Sequence, residues 1–264
     1  MKYNLWISYT MPQQYSNDIG TDVNIIIPYD AFDDFSVIID MDKKFYVNLP
    51  MVVRDKDKDG LRAFIESASK DERVKGVVIN NTESLMLLQE LVFAKEIITG
   101  AGLYAWNEES QKVYSKLSSN YVYPYELSRH EMTDNKESRP GILTVYGRFP
   151  LMVSANCIRN TAAECKGGAG ETFGYLKDRK NMLLPVLFQC KNCYNIVYNP
   201  IPTSLHEFVG SDIDFTKDLL ISFTDESDTA AGRVIDFYRE LLNGNMGQFP
   251  IKEFTKAYFT HGVE

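Results

Sequence analysis

Short runs of aliphatic, β-branched and aromatic residues recur along the chain, with helix-compatible stretches between most of them. Up to the seventh run, each begins roughly 20 to 30 residues after the previous one, enough for a strand, a helix and two loops. We therefore predict an α/β protein with a (β/α)8 barrel-like arrangement of parallel strands. The predicted strands are Tyr3 to Tyr9, Val23 to Pro28, Phe45 to Val53, Val74 to Ile79, Ile97 to Tyr104, Tyr121 to Tyr125, Ile142 to Tyr146 and Leu219 to Phe223.

Helical periodicity is clearest in three segments, Leu61 to Ala68, Ser84 to Phe93 and Thr229 to Leu242. The last has an apolar stripe of the kind that packs against a core. The segment Asp30 to Asp40 contains Phe-Ser-Val-Ile-Ile and does not predict an obvious helix.

A long gap separates the seventh predicted strand from the eighth. We interpret residues 139–200 as an insertion within one barrel-like domain that spans residues 1–264. The insertion contains all four cysteines and follows the carboxyl end of a strand, where barrel enzymes carry active-site loops.

Composition and charge exclude several classes of protein. Hydrophobic residues make up 44% of the chain and charged residues 24%, which is typical of a folded globular protein. No apolar run is long enough to span a membrane and no signal peptide is evident, so we expect a cytoplasmic protein. The net charge of −8 argues against nucleic-acid binding over the whole surface. Between Arg139 and Lys191, however, the local charge is +5, which suits RNA or an anionic small molecule.

The cysteine spacing is the strongest chemical signal in the chain. Cys157-x7-Cys165-x24-Cys190-x2-Cys193 predicts four thiolates around one metal centre. Zinc and a four-iron four-sulfur cluster both accept this ligand set, so the spacing does not separate them. Buried structural cysteines and a redox pair at Cys190 and Cys193 are alternatives.

The segment from Asp55 to Glu66 fits the calcium-loop pattern Asp-x-Asp-x-Asp-Gly-x5-Glu. A strand-like segment precedes it and Arg62 lies where such loops carry an aliphatic residue, so we favour a solvated charged loop over a calcium site. The three histidines are scattered, and no hydrolase or nucleotide-binding motif is present in an appropriate context.

Several stretches together resemble the collagenase-like peptidase family U-32, in particular the second half of its longer members. The most specific is the Tyr-Gly-Arg-x-Pro-Leu-Met run that leads into Cys157. The chain departs from the shorter members, which have a cysteine where Pro150 stands here. The similar segments are Tyr125 to Ser128, Val145 to Cys157, Leu176 to Arg179, Cys190 to Asn199, Leu219 to Glu226 and Thr260 to Glu264.

The resemblance implies a barrel-like fold and an iron–sulfur cluster held by cysteines. It also implies hydroxylation of RNA bases or of a quinone precursor, in some cases with prephenate as the hydroxyl source, although members were first described as proteases. If the chain corresponds to half of a longer member, the missing N-terminal half is a candidate partner.

Three functional hypotheses follow. The first is an iron–sulfur enzyme that modifies RNA or a small aromatic or quinone substrate, with cluster ligands Cys157, Cys165, Cys190 and Cys193. In it, Glu126 and Arg148, each at the end of a predicted strand, contact an anionic substrate or transfer a proton. The second is a peptidase, for which no nucleophile and base pair is evident. The third is a noncatalytic binding module whose insertion is held together by zinc.

Overall fold

The computed structural model describes residues 3–20, 22–134, 140–162 and 172–263, which form strands and helices in alternation over much of the chain. The strands are β1 (Asn4–Ser8), β2 (Val23–Pro28), β3 (Phe45–Asn48), β4 (Val74–Ile79), β5 (Glu96–Thr99), β6 (Asn120–Tyr121), β7 (Ile142–Gly147), β8 (Pro150–Ser154), β9 (Phe173–Lys177), β10 (Leu183–Gln189), β11 (Tyr194–Tyr198), β12 (Thr203–Ser204) and β13 (Asp218–Ser222).

The helices lie mainly between the strands of the large sheet. They are α1 (Phe32–Ile38), α2 (Lys58–Lys70), α3 (Thr82–Glu90), α4 (Glu108–Tyr114), α5 (Arg129–Asp134), α6 (Ile158–Ala162) and α7 (Asp228–Leu242). Among the described residues, no helix has both the length and the apolar character needed to cross a bilayer.

Nine strands form one sheet in the order β12-β7-β13-β1-β2-β3-β4-β5-β6, and every neighbouring pair is parallel except β12 with β7. The first and last parallel strands in the chain, β1 and β13, are neighbours, with Ile7 opposite Ile221. Ile25, Ile26 and Ile27 are all buried, as expected for a parallel strand that is covered on both faces.

The sheet is curled into a half-barrel and is not a closed barrel, so this part of the predicted fold is wrong. In the described chain, Val122, which directly follows β6, forms one isolated bridge with Ile142 of β7, and the Tyr123 N–H donates to the Ile142 carbonyl at 3.0 Å. The predicted strand Tyr121 to Tyr125 includes Pro124, which has no N–H for a ladder. The observed β6 ends at Tyr121 and is too short to pair along β7.

The two faces of the large sheet bury separate clusters. The outer face packs against the helices, where Ile65 of α2 and Val234 of α7 are fully buried. The inner face forms a second cluster to which every parallel strand, or the residue directly after it, contributes. Its members from the strands are Trp6, Ile26, Tyr46, Val78, Ile98, Val122, Ile142 and Leu220.

The predicted helices at Leu61 to Ala68, Ser84 to Phe93 and Thr229 to Leu242 are confirmed as parts of α2, α3 and α7, although α3 ends at Glu90. The segment Asp30 to Asp40 differs from the prediction because it contains α1. Asp33 and Asp34 lie in the first turn of α1, where negative charge favours a helix, and Phe35 is fully buried.

The chain segment between β7 and β13, where the sequence predicts the insertion, forms a small antiparallel sheet. Its strand order is β8-β11-β10-β9. Leu187, Tyr194 and Ile196 of β10 and β11 cluster with Met51 and Val52, which follow β3. The small sheet is therefore packed against the end of the large one.

We predict that Gly76→Ala destabilises the fold. A methyl group at Gly76 of β4 would lie 2.2 Å from the Glu96 carbonyl oxygen of β5, and backbone cannot move away without breaking the ladder. Overpacking of this kind costs about 1 to 3 kcal/mol, to be measured by urea unfolding. Gly232→Ala in α7 is the matched control, because nothing lies within 4 Å of its added methyl group and it should stabilise the helix by about 0.5 to 1 kcal/mol. Equal effects would contradict the β4–β5 packing.

Candidate functional site

A cleft of about 380 Å³ lies between the carboxyl ends of the parallel strands and the small antiparallel sheet. In open and closed α/β sheets alike, this edge is where ligands bind, because the loops that follow the strands converge there. Every parallel strand contributes a lining residue at or beyond its carboxyl end: Ser8, Asp30, Asn48, Asn80, Gly102, Tyr125, Arg148 and Ser222.

The small sheet covers this cleft and is held in place by apolar and polar contacts. Leu187, Tyr194 and Ile196 line the cleft as well as packing on Met51. The Met51 backbone N–H donates to the Tyr194 hydroxyl at 3.1 Å. The small sheet, which forms the cover of the cleft, is thus fixed to the loop after β3 by buried apolar side chains.

The turn between β10 and β11, Cys190 to Cys193, projects toward the loop that follows β3. The Arg54 guanidinium donates to the Asn192 carbonyl and, at 3.0 Å, to the Cys193 carbonyl. Cys193 has a φ of +52°, a conformation that few residues other than glycine adopt. Arg54 therefore ties the Cys-x2-Cys turn to the edge of the large sheet.

Asp30 is the acidic residue in the cleft lining. Its Oδ1 is buried and has no hydrogen-bond partner among the described residues. The pKa of this carboxyl is raised to about 6, mainly because the group is buried. The positive charge of Lys191 lowers the pKa by a smaller amount, and the negative charge of Asp57 raises it. A carboxyl with this pKa can exchange a proton near neutral pH.

Lys191 comes from the Cys-x2-Cys turn and lies at the rim of the cleft. Its Nζ is 3.9 Å from the centre of the Tyr29 ring, a cation–π contact next to Asp30. Within the described parts of the chain, its ammonium makes no ion pair with a carboxylate. The rim therefore presents a positive charge that acts on Asp30 and forms no salt bridge with a carboxylate of the described residues.

Arg148, a predicted substrate-binding residue, lines the cleft, and its charge is paired. Its Nε donates to Asp225 at 2.8 Å, and its Nη1 donates to the Pro200 carbonyl. The side chains of this ion pair are only 17% and 12% exposed. Arg148 therefore joins the ends of β7, β11 and β13 and has little free charge for a substrate.

Glu126 does not line the cleft, although its partner does. The hydroxyl of Tyr104, a lining residue, lies 3.4 Å from Glu126 Oε1, and Oε2 is buried without a partner in the described chain. No contact joins Glu126 to Arg148 in that part of the chain. The structure thus places both predicted residues near the same edge without bringing them together.

Three of the four predicted metal ligands lie in the described residues. Cys157, Cys190 and Cys193 are free thiols, and Cys165 lies outside the described residues. Cys157 follows β8, and Arg159 from the same segment contacts the Cys190 sulfur at 3.5 Å. Across residues 3–20, 22–134, 140–162 and 172–263, no three cysteine, histidine or acidic side chains form a metal-binding group. The four-thiolate site therefore stays a prediction.

The candidate calcium loop has a different structure. Asp55–Asp57 is a 3-10 turn, and α2 begins at Lys58, so Gly60 and Glu66 lie within a helix. Lys58 pairs with Asp55 at 2.9 Å. Because a calcium loop must fold around the ion, a helix at Gly60 is incompatible with that site.

Sequence reasoning missed Asp30, Asn48 and Asn80 as cleft residues. A usable signal was present, since each is a polar residue at the end of an apolar run: Pro28-Tyr29-Asp30, Tyr46-Val47-Asn48 and Val78-Ile79-Asn80. The overlong strand prediction at Phe45 to Val53 hid Asn48, because the observed β3 ends at that residue.

Comparison with protein-family models, with curated proteins and with solved structures finds no match to this chain. The resemblance to the collagenase-like peptidase family U-32 is therefore a hypothesis that rests on the quoted residues.

We predict that Asp30→Asn stabilises the protein in a pH-dependent way. Because the folded-state pKa of Asp30 exceeds its ordinary 3.8, the wild type loses stability as pH rises through this interval. The variant should match the wild type near pH 4 and exceed it by about 2 kcal/mol near pH 7 in urea unfolding.

Asp214→Asn, at an exposed loop position, controls for the loss of one negative charge. An equal stability difference between Asp30→Asn and the wild type at both pH values would contradict the burial of Asp30.

Proposed function

We propose that the chain is an enzyme that modifies a small aromatic substrate in the cleft, with Asp30 as general acid and base. The observation that carries this proposal is the carboxyl of Asp30, whose Oδ1 is buried and has no hydrogen-bond partner in the described chain, in a cleft at the carboxyl edge of the sheet. Perturbed titratable groups in such clefts are characteristic of active sites.

The size and lining of the cleft favour a small planar ligand. A volume of about 380 Å³ lies within the range of small-molecule sites. Tyr29 and Tyr125 line the cleft, and the Tyr125 ring is stacked on Phe149 with centroids 4.3 Å apart. Fixed aromatic rings of this kind offer flat surfaces to an aromatic substrate.

The charges at Asp30 suit proton transfer. A pKa of about 6 leaves both protonation states populated near neutral pH. Lys191 at the rim favours the ionised carboxylate and is available to an anionic group of the substrate. Arg148 holds the surrounding strand ends through Asp225, so we assign it a structural role in place of direct substrate binding.

We further propose that Cys157, Cys165, Cys190 and Cys193 hold an iron–sulfur cluster beside the cleft. The donor chemistry supports this, because the described thiols are free and Cys190 and Cys193 share one hairpin turn. Such a cluster would supply electron transfer for the hydroxylation that the resemblance implies, in which a hydroxylated co-substrate would give its oxygen to the aromatic ring and be reduced by two electrons as the ring is oxidised. Arg54 and Lys191 would then connect the cluster turn with the cleft.

An RNA base is a second candidate substrate, favoured by one surface feature. Lys177, Arg179 and Lys180 are exposed around the turn between β9 and β10. Basic side chains at this position can contact phosphates, which supply most of the affinity for nucleic acids.

Peptidase activity has weaker support. A serine–histidine contact exists in the described chain, with Ser204 Oγ 2.9 Å from His206 Nδ1, but both residues are buried and His206 is stacked on Phe249. A nucleophile sealed in the core cannot reach a peptide bond.

The test is to purify the protein without oxygen, measure iron, sulfide and zinc, and incubate it with a small-molecule extract and with RNA. We expect iron with sulfide, and a small aromatic product that has gained one oxygen atom by mass spectrometry. Asp30→Asn should retain the iron and slow the reaction about 100-fold, while Asp214→Asn should not.

Stoichiometric zinc without iron, and no product, would contradict the enzyme and favour the noncatalytic zinc-bound module. A product only in the RNA sample would replace the small-molecule substrate with the second candidate.

A further inference from the structure

Two asparagine side chains meet on the floor of the cleft. Asn48 is the last residue of β3 and Asn80 directly follows β4, its neighbour in the sheet. The Asn80 Nδ2 donates to Asn48 Oδ1 at 2.8 Å. Both residues line the cleft, so the pair is accessible to a ligand.

Asn80 is held from two further sides. Its Nδ2 lies 3.5 Å from the Leu49 carbonyl oxygen, and its Oδ1 lies 3.4 Å from the Gly102 backbone nitrogen. The end of β5 is shaped to admit this side chain, since a methyl group on Gly100 would lie 2.3 Å from Asn80 Oδ1. All polar atoms of the Asn80 carboxamide therefore face protein groups.

These contacts determine which end of the Asn48 carboxamide is free. Because Asn48 Oδ1 accepts from Asn80, its NH2 group points away from Asn80. That NH2 group has no partner in the described chain and is not among its buried unpartnered atoms. Asn48 lies opposite Pro28 in the parallel register, two residues before Asp30. The cleft thus holds a free N–H donor near its acidic group.

We infer that Asn48 donates a hydrogen bond to an acceptor oxygen of the ligand, a carbonyl or a carboxylate, and that Asn80 positions Asn48 to do so. This inference rests on the proposed function, because it assumes that the cleft binds the substrate. It deepens that proposal by requiring an aromatic ligand that carries a carbonyl-type oxygen.

The test uses three simple aromatic probes and titrates each into the protein by NMR. Benzamide and benzoate both carry an acceptor oxygen and differ in charge, while benzylamine has no such oxygen. Asn48→Asp replaces the donor with a negatively charged acceptor of the same shape, so it should weaken benzamide about tenfold and benzoate by more, without weakening benzylamine. The loss for benzamide reports the hydrogen bond, because this probe is neutral, whereas the loss for benzoate also includes its repulsion by the new carboxylate.

Asn80→Asp tests the positioning role. It can still accept from Gly102 but cannot donate to Asn48, so the Asn48 carboxamide is free to flip. We expect a shifted side-chain amide resonance of Asn48 and a weaker preference for benzamide over benzylamine. Asn24→Asp is the matched control. Asn24 lies at the amino end of β2, away from the cleft, and its Oδ1 accepts a hydrogen bond from Lys75.

An unchanged benzamide affinity in Asn48→Asp, or no binding of any probe to the wild type, would overturn the inference. The two proposals fail separately. Asn48-dependent binding without any modified product refutes the proposed function alone, whereas a modified product whose KM is unchanged in Asn48→Asp refutes this inference alone.

Discussion

The packing of the antiparallel sheet onto the carboxyl edge of the curled sheet is the contact on which the candidate site depends. Leu187, Tyr194 and Ile196 bury apolar surface against Met51 and Val52. This contact turns an open sheet edge into a cleft that is lined by residues of both sheets. It also brings the Cys-x2-Cys turn, which is distant in the sequence, against the loops that follow β2 and β3.

The chemistry of the cleft follows from this cover. Asp30 lies at a strand end that would be solvated if the small sheet were absent, and its raised pKa results mainly from burial. Lys191 belongs to the same small sheet, in the turn between β10 and β11. The sheet that buries Asp30 therefore also places a positive charge beside it. Arg54 and the Arg148–Asp225 pair hold the cover at two sides.

Much of the fold could be predicted from the sequence, because β-branched runs and helical stripes are local signals. The predicted Val23 to Pro28 and Val74 to Ile79 match β2 and β4 at both ends. Barrel closure could not be predicted in the same way, since it depends on whether β6 is long enough to pair with β7. Some strands were predicted too long because apolar residues continue beyond the end of the observed strand. Leu49 is an example, since it follows β3 and lines the cleft. Asp30 lies two residues beyond a strand end that was predicted correctly, and its burial depends on the distant small sheet, which no local pattern shows. The pairing of Arg148 with Asp225 is likewise a contact between distant segments that the sequence does not reveal.

An NMR titration of the Asp30 side-chain carboxyl, in the wild type and in Lys191→Met, tests the central claim most directly. If the small sheet covers Asp30 and brings Lys191 beside it, the wild-type midpoint is about pH 6. Removal of the Lys191 charge then moves that midpoint upward, because the ionised carboxylate loses its nearby cation. A midpoint at the ordinary 3.8, unchanged in Lys191→Met, would show that the carboxyl is solvated and that the cover does not form the site.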